Sequence, residues 1–135
     1  MLAESELLTL DNEPKISPPV NPVRYKAAIL WMHHILATSK RKEIVKTAEE
    51  LSLSGVSKVG HPGAVFIEGI EANVDAFVAH IKSLRWQACQ LRSEYQVDTR
   101  LLDWKGIREV DAISQVKALL LNEHGERFLE AMKVK

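Results

Sequence analysis

One cysteine, Cys89, is all the chain contains, so no disulfide can form within it and no Cys-rich metal cage can be built. Excess charge of either sign is missing too, because 18 Lys and Arg offset 18 Asp and Glu. The field of the whole molecule therefore steers neither nucleic acid nor an anionic membrane toward it, and any such affinity must come from a local patch. Long apolar runs are absent: the longest uncharged stretch, 27–39, has 13 residues and two histidines, where a membrane span needs about 20 apolar residues. Residues 1–13 carry Glu4, Glu6, Asp11 and Glu13 but no Lys or Arg, so neither a secretory nor a mitochondrial leader is expected. No internal repeat or low-complexity tract is visible. These absences point to an intracellular protein of the nucleus or cytoplasm, with no cofactor and no membrane partner.

What is present suits one compact domain: 135 residues, 46% hydrophobic and 27% charged. Pro14, Pro18, Pro19 and Pro22 crowd the start, and proline cannot donate to a helix or an interior strand. Residues 1–23 therefore read as an acidic, Pro-rich arm, and 24–135 as a single domain. Tyr25 to Leu36 is apolar on both alternating faces and reads as a central strand. Ser39 can cap a helix with Ile44, Val45, Ala48 and Leu51 on one face. Gly55–Val59 and Ala64–Glu68 read as a hairpin around Gly60-His61-Pro62-Gly63. A second helix carries Val74, Phe77, Val78, Ile81 and Leu84 inward, and Trp86–Tyr95 returns as a strand.

The order strand, helix, strand, strand, helix, strand is the split βαβ arrangement. It predicts an α+β, ferredoxin-like βαββαβ fold, with two helices on one face of a four-stranded antiparallel sheet. Asp98–Arg108 shows no clear period. Beyond it, Asp111 can cap a helix stopped by Gly125, and Phe128, Leu129 and Met132 suggest a last short one.

The sharpest local anomaly is Lys40-Arg41-Lys42 in the first turn of the first helix, where the backbone end is already positive. Cations there cost stability, and backbone donors with side-chain charges aimed at one anion would explain them. The plain alternative is a solvated turn whose charges pair with Glu43. Lys58 and His61 on the hairpin are possible neighbours of such a site. His33 and His34, read as adjacent strand residues, would point to opposite faces and could not share one metal, so no metal site is expected. Cys89 reads as a small buried hydrophobe. An RNA-recognition motif shares the strand order, but Ala64-Val65-Phe66-Ile67-Glu68 lacks its basic residue, glycine and alternating aromatics. An acylphosphatase-like enzyme would need a positioned Arg and Asn between first strand and first helix, and Ile35–Ser39 holds neither. No catalytic residues are expected.

The block Trp-x-His-His-Ile at Trp31, then Ser-Lys-Arg-Lys, Leu-Ser-Leu-Ser-Gly, Gly-His-Pro-Gly and Glu-Gly up to Gly69, resembles a known domain. It is similar to the C-terminal domain shared by spliceosomal pre-mRNA-processing factor 3, a small nuclear ribonucleoprotein component, and by RWD-domain-containing proteins. The likeness continues through Leu84-Arg85-Trp86 to Phe128–Met132, about residues 25–133. It implies a ferredoxin-like, non-enzymatic module that, in the splicing branch, binds paired small nuclear RNAs where duplex meets single strand. His61 stands where that pattern often has lysine, which lowers the local positive charge, and the 23-residue arm is too short to be an RWD domain.

The reading taken forward is a binding module for structured RNA rather than DNA, using Lys40, Arg41, Lys42, Lys58 and His61. The alternative is a protein-interaction domain of the RWD-associated type, using an apolar strip on the C-terminal helices or the open sheet face.

Overall fold

The computed structural model describes residues 23–133, so the arm expected at 1–23 lies outside the described residues but for Val23. In chain order the elements are β1 (Tyr25–Met32), α1 (Thr38–Glu50), β2 (Ser54–Lys58), β3 (Gly63–Ile70), α2 (Glu71–Ser83), β4 (Cys89–Val97), β5 (Gly106–Val110), α3 (Ile113–Leu119) and α4 (Asn122–Ala131). The sheet order is β4-β1-β3-β2-β5. The first four strands are antiparallel neighbours, which is the ferredoxin-like core expected from the sequence. The sheet itself has five strands and is mixed, not four and antiparallel, because β5 adds to the edge of β2 in parallel. Gly106–Val110 lies within and just beyond the stretch that showed no period. An edge strand of five half-exposed or exposed residues has no buried face to impose alternation.

Both faces of the sheet are covered. Ala28, Leu30 and Met32 of β1, with Val65 and Ile67 of β3, pack under Ile44 and Ala48 of α1 and Val74, Phe77 and Ile81 of α2. On the opposite face Ala27, Ile29, Val56, Ala64 and Phe66 meet Val116, Leu120 and Phe128 of α3 and α4. This is why β1 is apolar at successive positions: a strand covered from both sides has no water-facing side to make polar. The open sheet face needed by an RNA-recognition platform, or by the alternative protein-docking strip, is therefore closed by the C-terminal helices. Gly125 is not a helix stop as expected. It lies in α4, where a Cβ would run into the Leu120 carbonyl, so its bareness lets α4 turn tightly off the end of α3.

The connection 98–105 has to pass from one edge of the sheet to the other. Val97, Ile70 and Tyr25 are register partners at one end, and Ser54 there pairs with both Glu68 and Gly106, so the crossing follows that end of the sheet. Four inter-strand steps of about 4.8 Å must be spanned, within reach of eight residues at about 3.3 Å each. Its backbone amides need partners on the way, and Glu68 provides them. The carboxylate accepts from Leu101 N–H at 2.9 Å and Leu102 N–H at 3.0 Å, and from His124 Nε2 at 2.7 Å. An ionised carboxylate can only accept, so Nε2 carries the imidazole proton and Nδ1 is left to accept from Tyr95 OH at 2.6 Å. Glu68 and His124 are 0% and 1% exposed. The Trp104 indole donates to Gly55 O at 3.0 Å and Ser54 Oγ to Trp104 O, which fixes the end of the crossing against β2.

Burial pushes the Glu68 carboxyl upward, but the hydrogen bonds from His124, Leu101 and Leu102 outweigh it, so its pKa lies below the ordinary carboxylate range. A depressed folded-state value contributes stability that is complete above the unfolded-state value and is lost as pH falls through the folded-state one. Glu68→Ala, which strands three donors, is expected to lose about 3 kcal/mol or more at neutral pH in urea unfolding. Glu68→Gln, which keeps an acceptor, should lose less and show a shallower fall of stability below the carboxylate range. An acid profile of Glu68→Gln as steep as that of the parent would contradict the assignment.

Candidate functional site

Residues singled out by the sequence lie at the opposite end of the sheet from Glu68, where Met32 pairs with Cys89 and Gly63, and Lys58 pairs with Val110. The start of α1 and the β2–β3 hairpin open there. The helix begins at Thr38 with Ala37 as N-cap; no side chain caps it and no acidic residue lies in its first turn. Ser39 sits inside the first turn and does not cap. Ala37 O accepts from Lys40 N–H at 3.0 Å and Arg41 N–H at 3.1 Å, so the amides ahead of them face outward without side-chain partners from the cap.

The three cations diverge. Lys40 Nζ lies over the Trp86 ring, 5.0 Å from its centroid. Arg41 forms a two-pronged pair with Glu109 of β5, Nε to Oε2 at 3.0 Å and Nη2 to Oε1 at 2.7 Å. Lys42 is exposed and lines a shallow groove with Thr38, Val45 and Lys46. The expectation of three charges aimed at one anion is thus corrected: consecutive helix residues are about 100° apart around the axis, so each meets a different neighbour. Glu43, expected as their partner, pairs with His80 instead, Nε2 to Oε2 at 2.6 Å.

Lys58 is 6% exposed, and its ammonium donates to Pro62 O at 2.8 Å. Burial lowers its pKa, partly opposed by Asp111. It braces the hairpin from within and is not on the surface with Lys42. His61 is exposed on that hairpin, facing His33 and His34 rather than the cations.

His33 and His34 do not face apart as expected, because β1 ends at Met32. Past the strand, alternation no longer applies, and the chain bends so that the two Nδ1 atoms lie 3.0 Å apart. His61 joins them, with one ligand-capable atom of each imidazole within 4.8 Å of the others.

Sequence reasoning missed Trp86 as part of this surface. Its indole donates to Ile81 O at 2.7 Å, which holds the ring at the end of α2 where Lys40 lies on it. Arg85, exposed beside it, adds a cation. The signal was the triplet Leu84-Arg85-Trp86, but nothing in one-dimensional spacing brings residue 86 to residue 40.

With its βαββαβ core, edge strand and two covering helices, the chain is an α+β protein of ferredoxin-like architecture. Comparison with solved structures agrees. BlrP1 BLUF superposes with a TM-score of 0.63 at 14% identity, over 82% of this chain and 90% of that one. A bacterial light-regulated adenylyl cyclase gives 0.55 at 18% identity, over 80% of this chain and 36% of that one. At such identities the likeness concerns the fold alone. Residues 28–128 match the family described as small nuclear ribonucleoprotein Prp3, C-terminal domain, and the chain belongs to that family. No helix among the described residues is long and apolar enough to cross a membrane.

The Arg41 pair leaves a measurable mark. Its hydrogen bonds, then its charge, hold the Glu109 carboxyl below the ordinary range against a smaller upward push from burial. Arg41→Gln is expected to return the Glu109 carboxyl titration, followed by carbon-13 NMR, to the ordinary carboxylate range. An unmoved midpoint would show that Arg41 is free of Glu109.

Proposed function

We propose that the chain is a non-enzymatic module of a spliceosomal small nuclear ribonucleoprotein, nuclear in location, that binds structured RNA through the end of the sheet where α1 begins. The observation that carries the reading is the uncapped, acid-free first turn of α1, set among cations that point in different directions. A single small anion would be better held by converging donors. A polyanion presents successive phosphates, and diverging cations suit it. Family membership supports RNA as that polyanion. Lys40 and Lys42 carry the charge, Arg41 contributes from its pair with Glu109, and Trp86 with Arg85 extends the surface. Lys58, being buried, is not part of it, and His61 lies at its border.

Base stacking on the sheet does not enter the proposal. Phe66 is buried, with the His124 ring 4.7 Å from it, and α3 and α4 stand where bases would stack. The protein-docking alternative has less to rest on. Among the described residues the exposed large apolar side chains are Val23, Leu36, Ile70, Leu101 and Leu121, each on a different segment of the chain. Catalysis is not proposed: the Glu68-His124 pair resembles an acid-base relay but is sealed from solvent.

The test is a salt series of anisotropy titrations with a duplex carrying a single-stranded tail. The parent's affinity should fall linearly on logarithmic axes, and Lys40→Glu with Lys42→Glu should cut the magnitude of that slope by about 2. Affinity should drop about tenfold or more at low salt. Equal slopes and affinities in parent and double variant would overturn the site.

A further inference from the structure

We propose that His33, His34 and His61 form a binding site for one divalent transition-metal ion of the zinc class, with a fourth position open to solvent. This goes beyond the RNA reading and does not depend on it. The three imidazoles come from two segments that the backbone clamps together. His33 and His34 occupy the turn leaving β1, and His61 the turn between β2 and β3. Ile35 and Gly60 exchange two main-chain hydrogen bonds, each 2.9 Å, between those turns. His33 N–H is tied to Ala88 O at 3.1 Å. The hairpin can press this close because Gly63 has no Cβ, which would strike the Ile35 side chain, and because Gly60 takes φ +92°, a left-handed conformation that favours glycine.

The geometry fits a metal better than it fits the imidazoles alone. Nitrogens sharing one tetrahedral zinc at about 2.0–2.1 Å lie roughly 3.3 Å from one another. The His33 and His34 Nδ1 atoms are already 3.0 Å apart, and one ligand-capable atom of each of the three imidazoles lies within 4.8 Å of the other two. Two of the three residues are exposed, so small ring rotations close the remaining gap without disturbing packing. A ring-nitrogen pair at hydrogen-bond distance can share only one proton, whereas a dication engages the lone pairs of all three imidazoles at once. With three neutral ligands and no carboxylate the site keeps its two positive charges, and its open position favours water or an anionic oxygen. Three histidines with one free position is the donor set of an open zinc site rather than a closed structural one.

The full chain, freed of metal by chelator and dialysis, is titrated with zinc chloride by calorimetry, and with cobalt chloride by visible absorption and proton-nitrogen NMR. One ion per chain is expected, with the d–d absorption of low-coordinate cobalt. Paramagnetic broadening should be confined to residues around 33–35 and 60–62. His33→Asn, His34→Asn and His61→Asn should each weaken zinc binding at least tenfold, with circular dichroism and urea midpoint confirming that each variant folds. His80→Asn and Cys89→Ser should leave it unchanged. Binding that survives His61→Asn, that depends on Cys89 instead, or cobalt broadening in the parent away from these turns, would overturn the proposal; the last reading needs no variant to fold.

Discussion

A single buried carboxylate holds the two halves of this fold together. Glu68 sits in β3 facing the second core, fully shielded from water, and carries bonds from two loop amides and one imidazole. A charge in that position is tolerated because both carboxylate oxygens accept hydrogen bonds. What it secures is considerable. The two amides belong to the segment that crosses the sheet end and delivers β5, and the imidazole belongs to α4, which closes the second face. Without that carboxylate, the crossing would pass β3 with two amides unsatisfied, and α4 would bury the His124 Nε2 donor without its acceptor.

Closure of the second face determines where ligands can bind. In a four-stranded sheet with one bare side, central aromatics are available to stack on bases. Here Phe66 is core, and the two tryptophans at the sheet margins are engaged by arginines of this chain, Arg92 over Trp31 at 4.4 Å and Arg108 over Trp104 at 4.3 Å. Among the described residues, turns and cations gather at the sheet end where β1 leads into α1. There the first helical amides, Lys40 on Trp86, Lys42 and the three histidines adjoin one another through short connections.

The core of the fold was legible because it rests on periodicity. Val74, Phe77 and Ile81 recur at helical spacing and are buried as that spacing demands, and the strand order of the βαββαβ unit follows from where such periods alternate with extended runs. The fifth strand was not legible, since Gly106–Val110 lies at an edge with no residue fully buried, and a strand whose faces are only partly covered leaves no alternating signature. The candidate site divides in the same way. Residue types and their clustering at 40–42 marked the start of α1, but whether neighbours on a helix converge depends on what surrounds it. Glu109, 68 positions away, took Arg41. His33 and His34 were misjudged because the strand rule was applied to two residues beyond the strand's end at Met32.

The amino-acid sequence by itself determined the alternation of elements, the apolar faces, the family and the charge placed at the first helix, because these are local properties of pattern and composition. Only the tertiary structure decided that the sheet is covered twice, that Glu68 meets Leu101, Leu102 and His124, and that His61 lies against His33 and His34. Those are contacts between segments distant in sequence. Their existence depends on how the chain crosses the sheet, and no spacing along the chain encodes that distance.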